Sequence, residues 1–145
     1  MEQPTEHPPM RVSRDDALMQ TAWVWAGRGT CNRLQVGCVI SIQGRILAQG
    51  YNGAPSGLPH CHHRVTDSPP CTQAEHAERN AIAWAARMGV RLQGSELHCT
   101  DGPCLACAMA IINAGIVRVT FQRPYRDTSG QELLTRAGLD VSIYS

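Results

Sequence analysis

Apolar residues recur with a helical period in some stretches of this chain and form short continuous runs in others. The changes between the two divide it into nine elements. Ser13 followed by Asp16 gives a capping start. Leu18, Ala22 and Trp25 then fall at i, i+4 and i+7, predicting a helix that Gly27 and Gly29 end. Val36 to Ile42 is an apolar run with β-branched residues, and Gln43-Gly44 separates it from Arg45-Ile46-Leu47-Ala48. The two runs read as a β-hairpin. Residues 50–74 carry Gly, Pro, Ser and His with no sustained period, and a loop of that length usually has a function. Ala-rich Glu75 to Arg87 predicts a helix closed by Gly89, and Leu97 to Thr100 a short strand. Pro103 suits the first turn of a helix running through Ala108 to Ala114 and stopping at Gly115. A strand from Ile116 to Phe121, a helix from Gln131 to Ala137 ended by Gly138, and a strand from Leu139 to Tyr144 complete the order.

A hairpin followed by strand–helix alternation predicts a mixed five-stranded sheet with helices on its faces, a three-layer α/β fold. The 145 residues fit one domain over 1–145, with a Pro-rich lead at 1–12 that is expected to be loose at its tip. There is no internal repeat.

Composition narrows the function. A chain 43% hydrophobic and 17% charged is globular rather than disordered. Thirteen basic against twelve acidic residues lack the surplus that long nucleic acid requires, yet they leave room for a small anionic ligand. No apolar run approaches the ~18 residues of a membrane span, and the first ten residues lack the layout of a signal peptide. Seven cysteines, an odd number, argue against a fully paired disulfide framework. With six histidines they suggest a reducing, cytoplasmic setting in which the surplus serves metal.

The chemistry concentrates at two predicted helix starts. His76-Ala77-Glu78 opens one helix, and Pro103-Cys104-Leu105-Ala106-Cys107 opens the next. Cys104 and Cys107, three apart in a first turn, share a face, and a helix N-terminus favours thiolates. His76, Cys104 and Cys107 supply three ligands and leave a fourth position for water, which is the arrangement of catalytic zinc. Glu78 then stands beside the metal without binding it, placed to move protons. Either motif alone would be weak evidence. Together they match the zinc deaminase signature.

The other cysteines divide into two groups. Cys38 and Cys99 sit inside predicted strands and read as small buried hydrophobes. Cys31, Cys61 and Cys71 lie in loop sequence beside His60, His62 and His63. They form either a second, closed zinc site or a scatter of loop thiols and solvated histidines. Tyr51-Asn52-Gly53-Ala54-Pro55-Ser56-Gly57 is turn chemistry, and it is alternatively a loop that offers backbone N–H groups and an amide to a sugar phosphate.

On these residues the chain resembles the deoxycytidylate (dCMP) deaminases of the cytidine and deoxycytidylate deaminase superfamily, from about Leu18 to Val141. Arg28 to Ile40, Gly50 to Gly57, His76 to Ile82, Pro103 to Cys107, Ile111 to Ile116 and the segment around Tyr125 carry the likeness. The Gly50–Gly57 loop is what narrows it to the nucleotide-monophosphate branch.

The resemblance implies a cytidine deaminase-like fold and hydrolytic deamination of dCMP to dUMP and ammonia. It makes His76, Cys104 and Cys107 the ligands of a catalytic Zn2+, with zinc-bound hydroxide as nucleophile and Glu78 as proton shuttle. Asn52 would meet the sugar hydroxyl and the N–H of Ala77 the pyrimidine carbonyl. Arg33, Tyr125 and the loop from Gly53 to Ser56 are candidates for the phosphate. The resemblance also implies a second Zn2+ on Cys31, Cys61, Cys71 and either His62 or His63, a homo-oligomer such as a hexamer, and dCTP and dTTP as allosteric ligands.

Three other readings stay open on the residues themselves. The first is a deaminase of a 5-modified dCMP, another nucleotide or nucleoside, or a tRNA adenosine. The second is a zinc-stabilised binding module, which has no use for Glu78. The third is a thiol redox protein built on Cys104 and Cys107, which predicts no zinc.

Overall fold

The computed structural model describes residues 10–62, 71 and 73–145. The loose lead expected at 1–12 therefore falls outside the described residues as far as position 9, and Met10, Arg11 and Val12 are exposed and belong to no element. Four helices and five strands follow among the described residues: α1 (Arg14–Ala26), β1 (Gly37–Ile42), β2 (Arg45–Tyr51), α2 (Ala77–Met88), β3 (Glu96–Asp101), α3 (Leu105–Asn113), β4 (Arg118–Arg123), α4 (Ser129–Arg136) and β5 (Asp140–Ile143). This is the predicted order of elements.

The strands form one mixed sheet in the order β2-β1-β3-β4-β5. β1 pairs antiparallel with both β2 and β3, whereas β3–β4 and β4–β5 are parallel. Alternation along β1 separates two cores. Val39 packs with Leu18, Met19 and Ala22 of α1, while Cys38 and Ile40 join the larger core with Ala77, Ala81, Ala108, Ile111 and Phe121. Helix α1 therefore covers one face and α2 and α3 the other, giving three layers.

The helix starts differ from expectation by one or two residues, and the difference has a cause. His76 and Cys104 are extended (ψ 151° and 170°) and serve as N-caps, so the helices begin at Ala77 and Leu105. Cys104 Sγ accepts the Cys107 N–H, as a capping side chain does, and Pro103 precedes the cap rather than occupying the first turn. Ser13 caps α1 as predicted, accepting from the N–H of Asp16 at 3.0 Å.

One glycine sets the depth of the site. A Cβ on Gly50 would run into the carbonyl oxygen of Ala77 and the backbone of Ala81. Its absence lets the first turn of α2 lie directly on β2. No helix among the described residues is long and apolar enough to cross a membrane.

Candidate active site

The N-termini of α2 and α3 bring His76, Cys104 and Cys107 together across 28 residues of sequence. His76 Nδ1 lies 3.4 Å from Cys104 Sγ and 3.4 Å from Cys107 Sγ. All three ligand atoms fall within 4.8 Å of one another. A tetrahedral ion with a Zn–N length of ~2.0 Å and Zn–S lengths of ~2.3 Å separates such a nitrogen and sulfur by about 3.5 Å, so this donor set fits zinc.

The electrostatics agree with that fit. The Cys104 thiol is lowered to about 3, first by its hydrogen bond with Cys107 and further by His76 and the Cys107 amide, against burial. Cys107 is pushed up, first by the same bond to Cys104 and then by burial. His76 is raised, chiefly by its bond to Cys104. A thiolate beside an imidazole that holds its proton more tightly is a group of donors ready to exchange protons for a cation.

Glu78, one residue into α2, is 4% exposed. Burial raises its carboxyl above the ordinary value of 4.5, opposed by hydrogen bonds with Cys107 and Cys99. Such a shift moves a carboxylate toward the range in which it both takes and returns a proton near neutral pH.

These groups open into a cavity of about 240 Å³ whose lining includes His76, Ala77, Glu78, Cys104, Asn52, Arg33, Asp101 and Tyr125. Ala77 is the first residue of α2, where helix N–H groups lack partners within the helix. Asn52 is buried with its amide engaged: Oδ1 accepts from Val36 N at 2.8 Å, and Nδ2 donates to Leu34 O at 2.6 Å. Gly53 is outside the lining. Its N–H donates to Glu75 O at 3.1 Å, and its carbonyl accepts from Glu75 N at 2.8 Å. The Tyr51–Gly57 segment thus runs back onto the start of α2 instead of forming an isolated turn. A wider, shallower groove of about 730 Å³ adjoins the cavity and shares Cys31, Arg33 and Leu34 with it, but not His76, Glu78 or Cys104.

Cys31, Cys61 and Cys71 meet beside the cavity with their sulfurs within 4.8 Å. Burial pushes the Cys61 thiol up to about 12, with the neighbouring Cys31 and Cys71 adding to it. His62 is exposed and is not part of that group, and His63 lies outside the described residues.

Three contributors escaped the sequence reading. Asn80 donates to Tyr51 O at 2.9 Å and so ties the loop to α2. Asp101 borders the cavity and holds Arg123 at 2.7 Å. Cys99, expected to be plain core, is buried but also bonds Glu78. No local pattern distinguishes these residues, because each acts on a partner more than 20 positions away.

Residues 12–123 match the family model of the cytidine and deoxycytidylate deaminase zinc-binding region. The chain is 36% identical to a deoxycytidylate deaminase of Saccharomyces cerevisiae over 95% of its own length and 47% of that protein's, so it spans about half of this relative. It is 37% identical to ComE operon protein 2 of Bacillus subtilis, over 90% of this chain and 71% of that one. A crystal structure of dCMP deaminase from the cyanophage S-TIM5 in complex with dCMP and dUMP superposes with a TM-score of 0.84 at 34% identity, covering 92% of this chain and 99% of that one.

Proposed function

The chain belongs to the cytidine and deoxycytidylate deaminase family, and from that premise we propose that it hydrolyses dCMP to dUMP and ammonia. The observation that carries this reading is a buried carboxylate, Glu78, lining the same cavity as His76 and Cys104 of the His76–Cys104–Cys107 group. The likeness to a dCMP deaminase solved with dCMP and dUMP supports the substrate.

His76, Cys104 and Cys107 would hold a zinc ion, which when bound supplies an activated water at neutral pH. Glu78 does the proton work. It takes one proton from the attacking water and delivers it to N3 of the pyrimidine as the water oxygen bonds to C4. It then takes the remaining hydroxyl proton and gives it to the 4-amino group, which leaves as ammonia. The product keeps the N3 proton and a carbonyl at C4, so every atom is accounted for. On this reading the Ala77 N–H would meet the pyrimidine carbonyl and Asn52 the sugar, since both line the cavity. Arg33 supplies a cation and Tyr125 a hydroxyl on the cavity wall for the phosphate.

Cys31, Cys61 and Cys71 would hold a second, structural zinc that ties the long loop to the end of α1, with His63 rather than the exposed His62 as the fourth ligand. Self-association belongs to the same reading and is supported by Trp84, Met88, Leu105 and Met109, which are apolar and exposed on α2 and α3.

The test is elemental analysis of the purified protein alongside ammonia release from dCMP and cytidine. The reading expects about two zinc per chain and turnover of dCMP well above that of cytidine. A folded protein without zinc, or one that prefers cytidine, overturns it.

A further inference from the structure

Cys99 lies on β3, opposite Cys38 on β1 and beside Phe121 on β4, and is 1% exposed. Its partners across the sheet, Cys38 and Phe121, are buried members of the core, where a cysteine ordinarily serves as a small hydrophobe. Its Sγ stands 3.2 Å from Glu78 Oε1, within hydrogen-bond reach for a thiol.

We propose that Cys99 is a positioning residue for Glu78: from the strand behind the cavity, its thiol donates to Oε1 and holds the carboxylate in the attitude its proton transfers need. The proposal rests on the reading of Glu78 as the proton carrier.

The accounting of donors supports it. Cys107 also bonds Glu78, but a cysteine that ligates a metal has given up its proton and donates nothing. Cys99 is then the thiol left to orient a carboxylate buried away from water. Burial keeps it a thiol, because its acidity is suppressed well beyond the ordinary range. A thiol is also a weak donor. It aligns the carboxylate without placing a cation beside it. Orientation matters because proton transfer depends steeply on the distance and angle of the acceptor.

The test compares Cys99→Val, which removes the donor and keeps the apolar packing, with Cys99→Ser, which keeps a donor. In Cys99→Val, kcat for dCMP should fall about ten- to hundredfold. Its KM should stay within about twofold, and zinc content and melting temperature should be unchanged. Cys99→Ser should recover a substantial part of kcat. A Cys99→Val enzyme with kcat within about twofold of the parent overturns the proposal. So does a loss accompanied by loss of zinc or of stability, or a Cys99→Ser enzyme as slow as Cys99→Val.

A second readout does not depend on turnover. The S–H stretching band of Cys99, isolated by the infrared difference between the parent and Cys99→Val, should move when Glu78→Ala removes the acceptor. A band that stays in place overturns the proposal. If the parent protein does not deaminate dCMP, the substrate reading fails, and this band still decides the Cys99–Glu78 bond.

Discussion

The carboxylate of Asp15 in α1 lies 2.8 Å from Nε2 of His98 in β3, whose side chain is fully buried. The contact fastens the helix on one face of the sheet to the central strand whose far side carries Cys99. Arg118 of β4 joins it, donating to Asp15 at 3.1 Å and to Glu96 at 3.3 Å. Asp15→Ala removes the partner of a buried imidazole and should destabilise the fold by about 1–3 kcal/mol, read from denaturant midpoints.

The same contact sets a pH dependence. Arg118 first, and then His98, hold the Asp15 carboxyl below its ordinary value of 3.8. An acid whose folded value is lowered adds stability above its unfolded value and loses it as pH falls through the folded one. Melting temperature should therefore drop as the pH is taken below about 4. It should drop less steeply in Asp15→Ala. The effect is modest, because the side chain is 40% exposed and solvent screens it.

Glu78→Gln should leave the fold and the bound zinc in place while lowering kcat about 10²- to 10⁴-fold, the usual range for a general acid–base group. Burial raises the Glu78 carboxyl, so the stability it contributes is present at low pH and lost as pH rises through that raised value. The metal-free variant should consequently melt at a higher temperature than the metal-free parent at pH 7. Near-normal turnover in this variant would remove Glu78 from the mechanism.

Cysteine substitution should separate the two proposed metal centres. Cys61→Ala should lower zinc from about two to about one per chain, reduce melting temperature, and leave the remaining zinc on the tripod. Cys107→Ser should lower zinc by the same amount and abolish turnover. If both variants lose all their zinc, the centres are not independent.

Gly50→Val places a branched side chain where the backbone of Ala77 and Ala81 already lies. Overpacking there should cost about 1–3 kcal/mol. Because the first turn of α2 carries Ala77 and Glu78, kcat should fall with stability. An unchanged circular dichroism melt would show that α2 has room to retreat.

What spacing and propensity made legible in the sequence was what is local, and His76 was joined to Cys104 and Cys107 only because two short motifs together match a known signature. Ser13 and Asp16 mark the start of α1 because a cap acts within one turn, and Gly89 ends α2 because it adopts a positive φ of 71°. Cys104 and Cys107 were readable as a metal pair because three residues of spacing sets their separation wherever the helix lies. The tertiary structure alone decided what depends on sheet order. β1 sits between β2 and β3, and that placement puts Cys38 opposite Cys99 and carries Cys99 beneath Glu78. The meeting of Cys31 with Cys61 and Cys71, and the engagement of Asn52 with Leu34 and Val36, arise in the same way. Spacing and propensity describe contacts within a turn or a hairpin. Contacts across tens of residues exist only once strands have chosen their neighbours and helices have settled on the sheet at distances that a residue such as Gly50 permits.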